Sequence, residues 1–296
     1  MNPVNTQPYH LPKDAIWLIT GCSSGIGREI AKFIAAKPSQ RVVATARDVS
    51  GLSYLPDGDS NILKLTLDVT SPSSVENAFK AAAAHFGEAF HIDVVVNNAG
   101  YSLSGDTEAA TDEQSHQEME TLFFGTARVT MQAVKIMRQD PNRRGGLIFN
   151  ISSLAGVASF AGHSYYHAGK FAIEGWTESV AREMHPDWNI HFCLVEPSGV
   201  KTNFEGGSKK YMEPHEAYTA SDMPARKLEA LVKKALQSGA GIEPVTIAET
   251  LFKVASRGER VPLHLPIGRV AVSLIRSTLE RRLGELKDVE ELSAVD

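Results

Sequence analysis

The sequence predicts an α/β fold with a doubly wound parallel sheet of about seven strands and helices on both faces. Short apolar segments rich in β-branched residues alternate along the 296-residue chain with longer helical segments. Most of the strand candidates are apolar without interruption, as expected for parallel strands covered on both sides. A glycine-rich turn follows the first strand candidate and opens a helix. Sheets of this kind bind ligands at such a turn.

The elements follow one another in the order that a Rossmann-type fold requires. The strand candidates span residues 15–20, 41–46, 62–67, 93–97, 147–151, 190–195 and 263–267. Strand–helix–strand units of this length imply right-handed crossovers. Local signals mark the helix starts: Gly25 for a first helix that ends near Pro38, the Ser71-Pro72 pair, and the capping boxes Thr111 with Gln114 and Thr246 with Glu249.

The domain organisation predicted from this pattern is simple. Residues 14–296 form one domain, and residues 1–13, polar and proline-containing, form a loose tail. The segment 204–225 interrupts the alternation and is rich in Gly, Ser, Lys, Tyr and Pro. We therefore predict an insertion, at about residues 204–240, that lies over the carboxyl ends of the strands as a lid on the substrate.

Composition excludes several classes of function. The chain is 43% hydrophobic with a formal net charge of -5 and has no basic stripe, so we expect no nucleic-acid partner. No apolar segment approaches the ~20 residues of a membrane-spanning helix. Cys22 and Cys193 fall in buried strand positions or strand ends, which favours free thiols and a cytoplasmic location. We predict no metal site.

The turn TGCSSGIG, residues 20–27, carries the first functional signal. Gly21 allows a sharp turn, Gly25 allows close backbone approach to a pyrophosphate, and Gly27 lets the helix pack against the sheet. The helix N-terminus then presents free N–H groups to the phosphates. The predicted cofactor-binding residues of this turn are Gly21, Ser23, Ser24, Gly25, Ile26 and Gly27.

The second strand ends at Ala46 and Arg47, with no carboxylate before Asp48. An acidic side chain at this strand end would bind the ribose 2′-hydroxyl of NAD, whereas a guanidinium can bind a 2′-phosphate. The alternative is that Arg47 is an ordinary solvated arginine. Its position favours the phosphate contact, and hence NADP(H).

Tyr166 and Lys170 are spaced i and i+4, so a helix would place both on one face. Ser153 follows the fifth strand and precedes Tyr166 by 13 positions. A phenol is a poor acid at neutral pH, and a nearby ammonium stabilises its phenolate form. A tyrosine–lysine pair at this spacing is common by chance, so the acid–base role of Tyr166 depends on the family resemblance described next. Ser152 and Tyr165 are the neighbouring alternatives.

The motifs TGxxxGxG, NNAG, Ser–Tyr–Lys and VEPSGVKT resemble, in this order and over nearly the whole chain, the short-chain dehydrogenase/reductase family. The resemblance implies a Ser153–Tyr166–Lys170 catalytic triad in which the tyrosine and lysine also contact the cofactor. It adds cofactor contacts at Asp68, Val69, Asn97, Ala99, Gly100, Pro197, Val200 and Thr202. Asp68 can equally cap a loop, Asn98 is predicted to be structural, and Ser198 departs from the usual glycine.

A second departure from the family lies in METLFFGTARVT, where Leu122 occupies the position of a catalytic asparagine three residues before Gly125. Leucine offers no side-chain hydrogen bond. A kinked helix could still present a backbone carbonyl there to a water. Otherwise the apolar side chain closes that route for protons.

The resulting hypothesis is an NADP(H)-dependent reductase of a ketone or aldehyde, or the reverse oxidation, within specialised metabolism. Its pocket candidates are largely aromatic or apolar, which favours a bulky hydrophobic substrate: Tyr101, Leu103, Phe160, Tyr165, Phe204 and Tyr211. Two alternatives are a non-redox elimination, isomerisation or cyclisation, and a non-catalytic NADP(H)-binding regulator. The family resemblance implies a homodimer or homotetramer that pairs through the fourth and fifth helices.

Overall fold

The computed structural model describes residues 4–87 and 90–294 and contains the predicted sheet. Seven strands, all parallel to their neighbours, lie in the order β3-β2-β1-β4-β6-β7-β9. From β1 the chain adds strands towards one edge of the sheet, and from β4 it adds them towards the other. Folds of this type bind ligands at the point between β1 and β4 where this order reverses. The strands are β1 Ile16–Ile19, β2 Arg41–Ala46, β3 Ile62–Thr66, β4 Val94–Asn97, β6 Gly146–Ile151, β7 Ile190–Pro197 and β9 His264–Ile267.

Helices cover both faces of the sheet, which explains why its central strands β1, β4 and β6 are buried along their whole length. Helices α1 Gly25–Ala35 and α7 Pro244–Ser256 pack together on one face. Helices α2 Pro72–Phe86, α4 Thr126–Gln139 and α5 Ser164–Glu183 pack on the other. Every residue of β1 and β4 is buried, so each face of the sheet has its own hydrophobic core.

Two of the three predicted capping sites are confirmed. Pro72 opens α2 after the N-cap Ser71, and helix α3, Asp112–Met119, begins with both bonds of the Thr111 capping box. The box predicted at Thr246 is wrong. Helix α7 begins two residues earlier at Pro244, whose fixed φ suits the first helical position, so Thr246 lies inside the first turn.

From Val4 onwards the amino-terminal segment packs against the domain, in contrast to the expected loose tail. Asn5 Nδ2 donates to the backbone carbonyls of Phe192 (2.8 Å) and Val261 (2.9 Å). Tyr9 is buried, and its hydroxyl donates to the carbonyl of Asp93 at 3.0 Å. Residues 1–3 of the predicted tail lie outside the described residues.

Four further elements lie at the carboxyl-end side of the sheet and at the chain terminus. Strands β5 Ser102–Ser104 and β8 Lys209–Tyr211 form a small parallel sheet that joins the predicted lid to the segment after β4. Helix α6, Pro224–Gln237, follows within the lid, and helix α8, Arg269–Ser293, follows β9.

Both cysteines are free and buried, as expected. Within the described part of the chain, no helix combines the length and apolarity needed to span a membrane.

Candidate active site

The glycine-rich loop joins β1 to α1 and is held by one asparagine. Gly21 and Gly25 have φ values of +71° and +59°, in the left-handed region that favours glycine. A Cβ on Gly27 would lie 2.3 Å from Asn98 Nδ2 and 2.5 Å from the carbonyl oxygen of Gly21. Asn98 Nδ2 donates to the carbonyls of Thr20 (2.9 Å) and Gly21 (3.1 Å). The loop therefore requires glycine, and Asn98 has a structural contact in it.

The amino terminus of α1 is suited to an anion. Its N-cap residue, Ser24, makes no side-chain hydrogen bond to the first turn, and no acidic residue neutralises that turn. The first N–H groups and the positive end of the helix dipole therefore remain available. Thr202 lies opposite, since a Cβ on Gly25 would be 3.5 Å from its methyl group. The structure thus brings the predicted phosphate loop and the segment after β7 together.

The carboxyl end of β2 presents a cation. Arg47 is exposed there. Asp48 turns back onto its own loop, where its carboxylate accepts from the backbone N–H of Ser50 at 2.9 Å, and this hydrogen bond lowers the pKa of Asp48. A second cation, Arg28, lies in the first turns of α1, and sequence reasoning did not identify it. Its guanidinium lies 4.5 Å from the centre of the Tyr54 ring.

Asp68 and Asn97, both predicted cofactor contacts, engage their side chains in local structure. The carboxylate of Asp68 accepts from the N–H (2.9 Å) and the hydroxyl (2.7 Å) of Thr70, the loop role that the sequence left open. Asn97 Nδ2 donates to Thr130 Oγ1 (2.9 Å) and Asn150 Oδ1 (2.8 Å), which ties β4 to α4 and β6. Their contacts with a cofactor stay predictions.

The remaining predicted cofactor residues lie at the same edge of the sheet. The N–H of Ala99 donates to Thr20 Oγ1 at 3.0 Å. Val69 packs against Gly125, because a Cβ added to this glycine would lie only 2.7 Å from the Val69 methyl group. Pro197 ends β7, and Val200 forms a parallel bridge with Ile242.

The two serines after β6 face different surroundings. Ser153 is half-buried, and its Oγ accepts from the N–H of Ala155 at 3.1 Å in the turn Leu154–Gly156. Ser152 is 2% exposed and points into the interior, where its hydroxyl has no hydrogen-bond partner among the described residues. Ser153 is therefore the serine at the accessible edge of the sheet.

Tyr166 and Lys170 lie on one face of α5, as their spacing predicts. The Lys170 ammonium lies 5.7 Å from the centre of the Tyr166 ring and donates to the carbonyl of Ile151 at 2.7 Å. Burial lowers the pKa of Lys170 to about 8, while the charges of Glu174 and Glu118 raise it. The lysine therefore remains mainly protonated at neutral pH and holds its charge beside the phenol.

Leu122 is buried in a π turn, Glu120–Gly125, that joins α3 to α4. π turns alter the backbone hydrogen-bond pattern of a helix and are frequent at functional sites. Two glycines provide space for the leucine: a Cβ on Gly100 or on Gly169 would lie 2.8 Å from its methyl groups. Gly169 directly precedes Lys170, so the leucine packs against the backbone that carries the predicted catalytic lysine.

Sequence reasoning missed Glu118, which lies one helical turn before Leu122. The side chain is fully buried, and Oε1 accepts from the N–H of Leu103 at 2.7 Å while Oε2 has no described partner. Burial raises the pKa of Glu118 to about 7, against lowering contributions from the Leu103 N–H, Lys170 and Lys210. Glu118 is therefore a titratable group close enough to Lys170 to affect its pKa.

Acidic side chains also surround His264, and one of them, the buried Glu174, lies one turn after Lys170 on α5. His264 Nδ1 lies 2.8 Å from Glu196 Oε1 and 3.6 Å from Glu174 Oε2, while Nε2 lies 3.6 Å from Glu178. The carboxylates of Glu174 and Glu196 raise the pKa of His264 to about 10, against the lowering effect of burial. The imidazolium therefore links β9 to β7 and α5. No pattern in the sequence indicated this cluster.

The aromatic and apolar pocket candidates do not form one lining. The Phe204 ring lies 6.3 Å from the Tyr166 ring, and Lys210 Nζ lies 4.6 Å from the Tyr101 ring centre. Leu103, in contrast, is fully buried in β5, and Tyr211 is 56% exposed. Phe160 contacts the buried His167 ring at 5.5 Å, and Tyr165 is half-buried. Phe204 and Tyr101 therefore remain the strongest candidates.

A known family profile and a known oxidoreductase both match this chain. The family profile described as short chain dehydrogenase matches residues 15–212. The chain is 64% identical to the oxidoreductase calM of Penicillium decumbens over 296 residues, covering 100% of this chain and 97% of that protein.

Solved structures agree with the sequence comparison. The crystal structure of a short-chain dehydrogenase from Streptomyces avermitilis matches with a TM-score of 0.82 and 32% identity, covering 94% of this chain and 98% of that one. An alcohol dehydrogenase from Thermococcus sibiricus, complexed with 5-hydroxy-NADP, matches with a TM-score of 0.66 and 25% identity over 86% of this chain and 95% of that one.

Proposed function

Because the chain belongs to the short-chain dehydrogenase family, an oxidoreductase family, we propose that it uses NADP(H) to reduce a ketone or aldehyde, or to oxidise the corresponding alcohol. The observation that carries this proposal is the buried Lys170 ammonium beside Tyr166. A charged lysine at this depth is costly unless it has a function or a partner. Here its neighbours are a phenol, a backbone carbonyl and two carboxylates.

The described residues fit a dinucleotide at the carboxyl edge of the sheet. Gly27 admits no side chain, and the first turn of α1 has neither a side-chain cap nor an acidic residue. Such a helix terminus binds phosphate through N–H groups and dipole. When bound, NADP(H) would supply or accept the hydride.

The protein's own residues then handle the proton and the orientation of the substrate. Tyr166 donates a proton to the substrate oxygen during reduction, or removes one during oxidation. Lys170, fixed to the Ile151 carbonyl, stabilises the phenolate by its charge. Ser153, held in its turn by Ala155, hydrogen-bonds the same substrate oxygen and orients it.

Arg47 supports NADP(H) over NAD(H). It is exposed at the end of β2, and Asp48 directs its carboxylate to the Ser50 N–H rather than towards a ribose. A guanidinium in this position can bind the 2′-phosphate through two parallel hydrogen bonds. The complex of the Thermococcus relative with 5-hydroxy-NADP is consistent with this choice.

We further propose a hydrophobic, bulky or aromatic carbonyl substrate, because Phe204 lies near Tyr166 and Tyr101 lies beneath Lys210. A role in specialised metabolism, a cytoplasmic location and a homo-oligomeric state belong to the same proposal.

The test is NADPH oxidation by the purified protein with a panel of aliphatic, aromatic and polycyclic ketones and aldehydes. The reductase proposal expects loss of the reduced-nicotinamide absorbance together with alcohol product, faster with NADPH than with NADH. Product formed without net cofactor change would instead support the non-redox alternative, which Leu122 favours. NADPH binding with no product from any compound would support a regulator.

A further inference from the structure

Helix α8 leaves the body of the protein after two turns. Ala271 and Ile275 are buried against the domain. From Leu279 to Ala294, every residue of the described chain is exposed. Fifteen helical residues, 279–293, span about 22 Å at 1.5 Å per residue. This segment, called the arm below, buries none of its apolar side chains against its own domain, and short isolated helices are marginal in water.

The arm carries an apolar stripe, named here the α8 stripe. Its members recur at helical spacing and are exposed by 41–61%: Val272, Leu279, Leu283, Leu286 and Val289. Intervals of three, four and seven residues place them on one side of a helix. A stripe of this width and spacing is typical of a helix that packs lengthwise against another helix.

Charge is divided unequally along the same helix. The amino-terminal half contains Arg269, Arg276, Arg281 and Arg282, with Glu280 as its one acidic residue, whereas the carboxyl-terminal half contains Glu285, Asp288, Glu290 and Glu291, with Lys287 as its one basic residue. An antiparallel copy of the helix would place each basic half beside an acidic half. A parallel copy would place like charges together, which is unfavourable.

The base of the arm is held in a fixed direction. Arg282 donates to the carbonyl of Val157 at 3.0 Å, and its guanidinium lies 5.5 Å from the centre of the Phe171 ring. These contacts tie the helix to the turn after Ser153 and to α5. A preoriented arm loses less entropy on association than a flexible one.

We propose that the α8 stripe pairs antiparallel with the α8 stripe of a second copy of this chain. The pairing is isologous, so that each copy offers the same surface and the contact closes on itself. Leu279 of one copy then lies beside Leu286 of the other, and Arg276 lies beside Glu290. The surface is distinct from the fourth and fifth helices and does not depend on the reaction proposed above.

Sedimentation equilibrium on the full-length protein tests the apolar contact. Wild type is expected to have twice the mass of the chain, or four times that mass where the fourth and fifth helices pair as well. Leu286→Asp is expected to raise the dimer dissociation constant by at least about tenfold, since about 1.4 kcal/mol is one factor of ten. Leu292→Asp is the matched control: Leu292 is 82% exposed on the same arm but lies off the stripe, so its dimer should persist. A monomeric wild type, or equal effects of both substitutions, would overturn the proposal.

A charge reversal tests the antiparallel direction. Glu290→Arg should weaken the dimer, because it places a second cation beside Arg276, and the double variant Arg276→Glu/Glu290→Arg should restore it. No restoration would exclude the antiparallel arrangement. Wild type that stays monomeric but sediments with vesicles of phosphatidylcholine and phosphatidylserine through Leu286 would assign the stripe to a membrane surface and refute the pairing.

Discussion

Gly169→Ala is expected to destabilise the protein, although alanine favours helices. In a helix interior, alanine is better than glycine by roughly 0.5–1 kcal/mol. At this position a Cβ would lie 2.8 Å from Leu122 Cδ1 and 3.0 Å from Leu122 Cβ. A rotamer change can move Cδ1 but not Cβ, so the π turn itself must shift. Overpacking of this kind costs about 1–3 kcal/mol, which leaves a net loss of about 0.5–2 kcal/mol in the free energy of unfolding.

Gly175→Ala is the matched control in the same helix, because nothing lies within 4 Å of its added Cβ. It should stabilise by roughly 0.5–1 kcal/mol. Urea unfolding followed by circular dichroism would measure both variants. In a Leu122→Ala background, Gly169→Ala should cost less, because the Cδ1 contact is removed while the Cβ contact remains, and a double-mutant cycle detects that difference as coupling. Equal stabilisation by both glycine substitutions would refute the proposed packing of Leu122 on the lysine-bearing turn.

The other predictions concern the cofactor, the acid–base group and pH. Arg47→Ala should weaken NADPH binding by about 1.5–3 kcal/mol and leave NADH binding unchanged; equal weakening in a fluorescence titration contradicts the 2′-phosphate contact. Tyr166→Phe should lower kcat by roughly 10²–10⁴-fold while NADPH still binds; near-normal turnover rules out the proposed acid. Glu118→Gln removes a charge that raises the pKa of Lys170, so the alkaline fall of kcat should move to lower pH; an unmoved profile argues against that coupling. The pKa of His264 is raised to about 10 from a usual ~6.5, so its stabilisation is full below pH ~6.5 and is lost as pH rises through 10. The Tm difference between wild type and His264→Gln should shrink over that interval, and a constant difference would exclude the linkage.

The seven-stranded sheet could be predicted because strands buried on both faces appear as uninterrupted apolar segments. The observed bounds differ from the predicted ones by no more than two residues. Strands β5 and β8 could not be predicted. They are three residues long, partly polar, and paired across more than a hundred positions. Strand propensity depends on such tertiary context rather than on local sequence.

The candidate site also contains residues that could be predicted from the sequence and residues that could not. The glycine loop could be predicted because it follows the first strand and opens a helix. Ser153, Tyr166 and Lys170 could be predicted from their spacing together with the family resemblance. Glu118 and Glu174 gave no such signal, because single acidic residues in helical segments are usually solvated. Their burial depends on how α3 and α5 pack, which local sequence does not reveal.

Leu122 shows why these buried carboxylates matter to the proposed chemistry. At this position leucine supplies no hydrogen bond, and it packs against Gly169, next to Lys170. Burial alone would lower the pKa of Lys170 further than about 8, which would reduce the fraction of ammonium available to support a phenolate. Glu118 and Glu174 oppose that effect from two different helices. In this chain the charge of Lys170 is therefore supported by attraction from two buried acids, while the apolar side chain of Leu122 packs against Gly169 beside it.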